Sequence, residues 1–256
     1  MNPLHTYTFS EAKSIVICGD IHGEFNSLIY KLCIQYQLTD TLLIVAGDCG
    51  FGFEKPGYYE QVFNRNSSRL SKSNNWIVMM RGNHDDPSYF SEEKISHHRF
   101  RTVPDYSVIQ ACGHNILCVG GAVSIDRTYR IDRDSRHSAS GVASYWEDEK
   151  PIFDEYAMNT IGRRFKIDTV ITHTSPSFCE LISKSGLSEW AERDSTLLAD
   201  CDNERRTMDR IFEYPKANSH PLEHWFYGHF HQSQSSGIDG VQFSSMPGTM
   251  EIEELR

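Results

Sequence analysis

Seven side chains suited to binding metal ions follow apolar runs of this 256-residue chain. They are two carboxylates, one amide and four imidazoles, namely Asp20, His22, Asp48, Asn83, His173, His229 and His231. In an extended segment residues i and i+2 point to the same side, so Asp20 and His22 can bring two ligands to one region. The same holds for His229 and His231. Imidazole, carboxylate and amide ligands suit borderline divalent metals such as Mn, Fe, Zn or Ni, and the set is large enough for two ions.

The apolar runs before these side chains predict buried strands. The runs are 14–18, 41–46, 76–80, 168–172 and 224–227. Helical patterns are present at 25–36, 59–70, 154–165 and 190–214, with a hairpin of 107–111 and 115–119 and a late strand at 241–244. This alternation predicts an α/β fold whose first half is a parallel βαβαβ unit covered on both faces. Ligands bind at the carboxyl ends of strands in such sheets, so the candidate ligands should meet there.

No repeat or linker divides the chain, and we expect residues 1–256 to form one domain. Residues 126–151 are polar, rich in Arg, Ser and aromatic residues, and carry no clear helix or strand pattern. A long loop in a compact domain is more often functional than idle. We therefore predict that 126–151 forms the rim of the active site.

The composition limits the partners and the compartment. A net charge of -10 and a pI near 5.6 give no general attraction to nucleic acid or to an anionic membrane. We see no signal peptide and no apolar run of the roughly 18 residues that a membrane helix needs. The seven cysteines are scattered singly, mostly in or beside apolar runs. This usage predicts reduced thiols in a cytoplasmic protein, and it leaves the oligomeric state open.

Taken together, the segments around the candidate ligands resemble the calcineurin-like metallophosphoesterase superfamily, in particular its bacterial members. The family pattern is Asp-x-His, Gly-Asp, Gly-Asn-His-Asp/Glu, a lone His and Gly-His-x-His, and all five blocks occur in order between residues 19 and 231. The stretch 120–127 is also similar to a segment of bacterial members. The resemblance implies a four-layer αββα sandwich, in which two mixed sheets are flanked by helices, and a centre of two divalent metal ions.

The resemblance also implies a role for each matched residue. One metal would be held by Asp20, His22, Asp48 and His231, and the other by Asp48, Asn83, His173 and His229. Asp48 and a hydroxide would bridge them. His84 would face the substrate, where it stabilises phosphoryl charge or protonates the leaving oxygen. Asp85 is grouped with His84 as catalytic, in support of a neighbouring histidine, although capping of the next turn explains it equally well.

The second block departs from the pattern of the phosphoprotein-phosphatase branch. Phe51 stands where that branch has an aspartate that orients the catalytic histidine. Gly52 stands where it has a phosphate-binding arginine. We expect Arg127, Arg130 or Arg133 in the long polar segment to supply the missing cation, with Arg127 and Arg130 as the predicted substrate-binding residues.

The predicted reaction is hydrolysis of a phosphate ester by a metal-bound hydroxide. Two divalent cations, two carboxylates and a hydroxide leave a charge of about +1, which would attract a phosphate ester. We favour a phosphomonoesterase that acts on serine or threonine phosphopeptides or on small phosphorylated molecules. A phosphodiesterase or a nuclease is the alternative, although the acidic surface argues against nucleic acid. A metal-binding scaffold without turnover is the alternative of another class, which the complete ligand set disfavours because unused ligands would leave buried charges unpaired.

Overall fold

The computed structural model describes residues 4–55, 57–136, 142–184, 186–248 and 250–255. The strands are β1 Thr6–Phe9, β2 Ser14–Cys18, β3 Thr41–Val45, β4 Trp76–Met79, β5 Ser96–His97, β6 Phe100–Thr102, β7 Ser107–Ala111, β8 His114–Val119, β9 Thr169–Thr172, β10 His224–Tyr227, β11 Gln234–Ile238, β12 Val241–Ser245 and β13 Ile252–Leu255. The helices are α1 Phe25–Tyr30, α2 Gly57–Lys72, α3 Ser88–Ser91, α4 Arg127–Arg136, α5 Glu155–Gly162, α6 Leu187–Ala191 and α7 Leu197–Ala217. Helix α1 continues directly into a π-helical turn, Lys31–Gln35.

Within the described ranges the strands form two mixed sheets. One sheet has seven strands in the order β1-β7-β8-β9-β10-β12-β11, and the other has six in the order β13-β2-β3-β4-β6-β5. The strands that precede the candidate ligands run parallel within each sheet, namely β2, β3 and β4 in one and β9 and β10 in the other. Their carboxyl ends therefore lie at the same edge of each sheet.

Alternating side chains bury both faces of both sheets. Leu43 of β3 packs in the apolar cluster that includes α1 and α2, whereas its neighbour Leu42 packs in the cluster between the two sheets. In the other sheet, Ile171 of β9 lies between the sheets and Val170 packs with α5 and α7. Three apolar clusters thus separate four layers, and the predicted αββα sandwich is confirmed.

Helix α1 packs the end of β2 against the core, largely as its pattern predicts. Phe25, Leu28, Ile29 and Leu32 of the predicted apolar face are each at most 1% exposed, but Tyr36 is 39% exposed. A π-helical turn is wider than an α-helical turn, so it rotates the residue that follows it off the apolar face. The prediction for this helix is therefore correct up to the π-helical turn.

The polar segment 126–151 differs from the prediction. Its first part forms helix α4, which buries Arg127 and Arg130, so the expectation of a segment without helix is wrong there. Residues 137–141 lie outside the described residues. Arginine side chains are usually solvated, and a helix whose buried positions are charged carries no apolar periodicity by which it could be recognised.

The helix expected at 190–214 is interrupted. Helix α6 ends at Ala191 and α7 begins at Leu197. Between them, the Asp194 carboxylate accepts hydrogen bonds from the Thr196 backbone N–H and hydroxyl at 3.0 and 2.9 Å. Such side-chain contacts compete with helical backbone hydrogen bonds, which explains why the helix stops here.

The structure pairs none of the seven cysteines in a disulfide bond. In the part of the chain that the structure describes, no helix combines the length and the apolar character needed to cross a membrane.

Candidate metal centre and active site

The predicted ligands of both sheets meet where the carboxyl ends of the parallel strands come together. Asp20 and His22 follow β2, Asp48 follows β3, Asn83 follows β4, His173 follows β9, and His229 and His231 follow β10. Ligand atoms of Asp20, Asp48 and His173 lie within 4.8 Å of one another, although they come from different sheets. The structure thus brings the predicted set together at the junction of the sheets.

A buried inner cluster is formed by Asp48, Asn83 and His173, each at most 2% exposed. Nε2 of His173 lies 3.1 Å from Oδ1 of Asp48 and 3.0 Å from Oδ1 of Asn83. Nδ1 of His173 donates to the carbonyl oxygen of Ala46 at 2.7 Å. A neutral imidazole with its proton on Nδ1 presents a lone pair at Nε2. Three acceptor atoms then face one another in a buried site, an arrangement that a cation stabilises.

The electrostatics of the inner cluster also favour positive charge. A proton can take the place of that cation: burial lowers the pKa of His173, but the Asp48 carboxylate outweighs this effect and raises that pKa to about 10, so without a cation Nε2 carries a proton as well. In return, the pKa of Asp48 lies well below its ordinary value despite burial, because His173 and His84 are close. Burial and the neighbouring His173 lower the pKa of His229 to about 3, so His229 stays neutral. Its ring centroid lies 5.1 Å from that of His173.

A second, outer cluster is formed by Asp20, His22 and His231. Nε2 of His231 lies 2.8 Å from Oδ2 of Asp20 and 3.3 Å from Nε2 of His22. Asp20 is buried, whereas both histidines are exposed. The hydrogen bond to Asp20 raises the pKa of His231. The outer cluster has the donor types of a metal site that is open to solvent on one side.

The backbone at the candidate ligands is bent sharply. Positive φ angles occur at His22 (44°), Asp48 (48°), His229 (69°) and His231 (50°). Such angles are uncommon outside glycine, and they concentrate at functional sites. The loops are also packed closely, since a Cβ atom on Gly82 would lie 2.1 Å from Oδ1 of Asp48. Only glycine at position 82 lets the loop after β4 approach the carboxylate.

His84 and Arg130 face each other beside the inner cluster. His84 Nε2 lies 4.0 Å from Asp48 Oδ2, and with His22 the three residues have the spacing of a metal-binding group. However, Nη2 of Arg130 donates to Nε2 of His84. A guanidinium can only donate, so it occupies the lone pair that a metal ion would need. Burial and Arg130 outweigh Asp48 and lower the pKa of His84 to about 4. The contact favours the substrate-facing position expected for His84.

Asp85 holds two loops together. Its Oδ1 accepts hydrogen bonds from the backbone N–H groups of Gly50 and Phe51 at 2.7 and 2.9 Å. Its Oδ2 accepts from Cys49 and Gly82 at 3.0 and 2.8 Å. The side chain is 0% exposed, and four donors use its acceptor sites. These contacts contradict the predicted catalytic role and make Asp85 a residue that positions the loop after β3.

A cavity of about 960 Å³ opens from the centre. Asp48, Asn83, His84, His229 and His231 contribute to its wall, together with Arg130. A ligand in this cavity can therefore reach the candidate metal ligands, His84 and Arg130 at the same time.

A comparison with protein families identifies the relatives of this chain. A sequence model of the calcineurin-like phosphoesterases matches residues 13–233. The chain belongs to this family. It is accordingly a metal-dependent phosphoesterase, and members of the family normally bind two divalent metal ions. The matched range contains every predicted ligand, from Asp20 to His231.

Solved structures similar to this phosphoesterase include proteins from Thermus thermophilus and Mycobacterium tuberculosis. The protein TT1561 of Thermus thermophilus is 12% identical, with a TM-score of 0.56, and the match covers 95% of this chain and 98% of that one. A phosphopantetheinyl hydrolase from Mycobacterium tuberculosis is 14% identical with a TM-score of 0.44, over 94% of this chain and 95% of that one. At such identity, the similarity to the Thermus protein establishes the fold alone.

The loop after β3 shows how this phosphoesterase differs from the phosphoprotein-phosphatase pattern. Phe51 is 0% exposed and lies in the aromatic core below the loop, not at the metal ligands. Gly52 has a φ of 100°, and a Cβ atom there would lie 2.7 Å from the Trp146 ring. An arginine at position 52 would therefore collide with Trp146, whereas Arg130 brings a guanidinium to His84 from α4.

The structure does not bring Arg127 to the centre. Its Nε and Nη1 each lie 2.6 Å from a carboxylate oxygen, of Asp194 and Asp200 respectively. Its Nη2 donates to the Thr196 hydroxyl at 2.8 Å. A guanidinium so paired is not available to phosphate, which contradicts the predicted substrate contact of Arg127. Arg133 lies on the outer side of α4, with its side chain 47% exposed.

Two buried residues, Ser124 and Glu149, fix the orientation of Asn83, although the sequence pattern predicts no part for them in the metal centre. Nδ2 of Asn83 donates to the Ser124 hydroxyl at 2.9 Å. The hydroxyl and backbone N–H of Ser124 in turn donate to the Glu149 carboxylate at 2.6 and 2.8 Å. With its nitrogen held in this way, the Asn83 amide must point its oxygen at His173. The available signal was the resemblance of stretch 120–127 to bacterial family members, which contains Ser124.

Proposed function

We propose that this phosphoesterase is a phosphomonoesterase with two divalent metal ions. The observation that carries the proposal is the contact of Arg130 with His84 at the edge of a cluster of metal-ligand side chains. A phosphomonoester dianion carries one more negative charge than a diester, and Arg130 adds a cation for it. The planar fork of arginine suits two phosphoryl oxygens at once.

The proposed ligand sets follow the two clusters. One ion would be held by Asp20, His22, Asp48 and His231, and the other by Asp48, Asn83, His173 and His229. The convergence of acceptor atoms in each cluster supports this division. When bound, two divalent cations lower the pKa of a water molecule that can attack phosphorus, and they neutralise charge on the phosphoryl oxygens. The donor types suit Mn, Fe, Zn or Ni.

The side chains around the ions would orient the substrate. Arg130 is 6% exposed, and Asp126 holds its Nε at 2.7 Å, so its guanidinium is fixed before substrate arrives. We propose that Arg130 binds a phosphoryl oxygen and that His84 stabilises phosphoryl charge. The low pKa of His84 disfavours the alternative role, protonation of the leaving oxygen. The backbone N–H of His84 donates to Asp48 Oδ1 at 2.8 Å, which sets the position of His84 relative to the ions.

The setting of the activity is also a proposal. We propose that residues 1–256 act as one domain, supported by the pairing of β13 with β2. Residues 126–151 would form the active-site rim, supported by the positions of Arg130 and Trp146. Phosphorylated small molecules or phosphopeptides are the proposed partners, in the cytoplasm, where unpaired thiols are stable.

The proposal is tested with metal-stripped protein to which Mn²⁺ is returned. Hydrolysis of p-nitrophenyl phosphate is compared with that of bis(p-nitrophenyl) phosphate, and an Asp48→Asn variant serves as the background control. We expect a higher kcat/KM for the monoester. A preference for the diester would replace the proposal with a phosphodiesterase. Bound metal without turnover of either ester would favour a scaffold.

A further inference from the structure

The cavity at the metal centre extends far beyond the candidate ligands. Its volume of about 960 Å³ is much larger than a phosphate group requires and matches sites for organic molecules. Away from the metal ligands, its wall includes six apolar side chains among polar ones such as Lys184 and Gln232; the apolar side chains are Ile125, Leu181, Leu187, Trp190, Leu198 and Phe230. The space beside the phosphoryl site is therefore suited to an apolar group.

These apolar side chains are partly open to solvent. Leu198 of α7 is 55% exposed, whereas its neighbour Leu197 is fully buried. Trp190 of α6 is only partly buried, and its ring lies 6.4 Å from that of Tyr129 on α4, the helix that carries Arg130. Tyr129 is itself 55% exposed. Clusters of exposed apolar residues are found at binding sites more often than elsewhere on protein surfaces.

Phe230 connects the apolar wall to the metal centre. It lies between His229 and His231 in the chain, and its ring centroid is 4.8 Å from that of His229. The guanidinium of Arg205 lies over the Phe230 ring, 6.0 Å from its centroid, but its Nη2 donates to the carbonyl oxygen of Pro176 at 2.7 Å. Much of the hydrogen-bonding capacity of this cation is thus used by backbone carbonyls, which makes it a poor partner for a second anionic group of the ligand.

We infer that the substrate is a small-molecule phosphate monoester whose ester group is apolar and several carbon atoms in size. This inference rests on the proposed phosphomonoesterase function and adds the chemical class of the ester group. The phosphoryl group would bind between the metal ligands and Arg130, and the ester group would lie against Phe230, Trp190 and Leu198. The polar backbone of a peptide would gain less from contact with these three side chains than an apolar ester group of similar size.

The test compares phenyl phosphate with 4-butylphenyl phosphate as substrates of the Mn²⁺-loaded full chain. The two phenols are similarly acidic, so a difference in kcat/KM reports the added apolar contact and not the leaving group. Burial of much of the butyl group predicts a kcat/KM about tenfold or more higher for the butyl ester. Leu198→Ser and Trp190→Ala should each reduce this ratio toward one.

Ile152→Ser is the matched control. Ile152 is 74% exposed and does not line the cavity, so its replacement should leave the ratio unchanged. Equal kcat/KM for the two esters would overturn the inference, and turnover of phenyl phosphate would still support the proposed function. A high ratio that survives both cavity variants would also overturn the inference, as would faster turnover of a phosphoserine peptide. If metal-loaded protein hydrolyses neither ester, the proposed function falls and the inference with it.

Discussion

Arg130 donates a hydrogen bond from Nη2 to Nε2 of His84, although the two residues are 46 positions apart. His84 belongs to the loop after β4, whereas Arg130 belongs to a helix between β8 and β9. A cation thus reaches the edge of the candidate metal centre, where we propose that the phosphoryl group binds, from an element outside the predicted metal-binding loops. In the phosphoprotein-phosphatase pattern, by contrast, the metal-binding loop itself carries the arginine.

Replacement of Arg130 should weaken the binding of the transition state for monoester hydrolysis. Loss of a charge-assisted hydrogen bond to phosphate predicts a kcat/KM about 10- to 100-fold lower for Arg130→Ala with p-nitrophenyl phosphate. Arg130→Lys keeps the charge without the planar fork and should recover part of the loss. Arg136→Ala on the same helix, where the side chain is 71% exposed, is the control. Unchanged kinetics of Arg130→Ala would remove this residue from substrate binding.

His84→Ala should separate metal binding from turnover. We expect a metal content equal to that of the wild type, because Arg130 occupies the Nε2 lone pair of His84. We also expect a kcat about 10²- to 10⁴-fold lower, as for loss of a residue that assists proton transfer or charge stabilisation. Elemental analysis and steady-state kinetics on the same sample check both points. A variant that loses metal would instead identify His84 as a ligand.

Asp48→Asn should impair both metal ions. Asp48 contacts His173 of the inner cluster, and it lies in one candidate metal group with Asp20. The substitution keeps the shape and removes the charge, so we expect metal affinity more than about 100-fold weaker. Calorimetric titration with Mn²⁺ measures the affinity, and Asp239→Asn, at a 66% exposed side chain, is the control. Two ions bound with wild-type affinity would contradict the assignment of Asp48 as the bridging ligand.

Ser124→Ala should weaken one metal ion only. Without the hydroxyl, the Asn83 amide loses the acceptor that points its oxygen at His173. Outer-shell partners of this kind contribute about 10- to 100-fold to metal affinity. Ser107→Ala is a matched control, because Ser107 is equally buried and bonds a backbone carbonyl far from the cavity. If both variants lose stability and neither loses metal affinity, Ser124 is merely structural.

Arg127→Ala should affect stability more than chemistry. The side chain pairs with Asp194 and Asp200, which are 12% and 22% exposed, so its removal should destabilise by about 1–3 kcal/mol, less than for a fully buried ion pair. The hydrogen bond from Arg127 lowers the pKa of Asp194 below its ordinary value of 3.8. A depressed carboxyl pKa stabilises the fold above the unfolded-state pKa, and this contribution is lost as the pH falls through the folded-state pKa.

The difference in unfolding free energy between wild type and Arg127→Ala should therefore be largest near neutral pH. It should shrink as the pH falls below about 4. Urea denaturation at a neutral and an acidic pH measures it. Arg206→Ala is the control, since Arg206 forms an exposed pair with Asp202 that should contribute at most about 1 kcal/mol. A difference that does not change with pH would show that Arg127 acts through packing and not through its ion pairs.

The predictable part of the site was the part that follows buried strands. Runs such as 41–46 are continuous apolar segments. A residue type that can bind metal is recognisable from the sequence alone when it directly follows such a run. Some strands that are not continuous apolar runs were not predicted. Strand β11, for example, has the sequence QSSGI and alternates only between partly buried and exposed positions at the edge of its sheet. The whole predicted ligand set converges, because parallel strands bring their carboxyl ends to one edge.

The roles that depend on helix α4 and on loop contacts could not be predicted in the same way. Arg127 and Arg130 are three residues apart. Nothing in the sequence distinguishes the arginine that contacts His84 from the one that pairs with Asp194. Asp85 binds backbone N–H groups more than 30 residues away in the chain. Only the fold of the loop after β3 places those groups around its carboxylate. Such contacts are properties of the folded chain and not of a local pattern.

The predicted ligands come from both sheets, and this has a consequence for when the centre can form during synthesis and folding. Asp20 meets His231 across 211 positions, and His173 and Asp48 come from different sheets. Closure of such a long loop is entropically demanding, so these contacts form only when both sheets are docked. A nascent chain that ends before residue 229 lacks His229 and His231 of the predicted ligand set. If these residues hold the metal ions as proposed, hydrolytic activity requires that synthesis has passed this point.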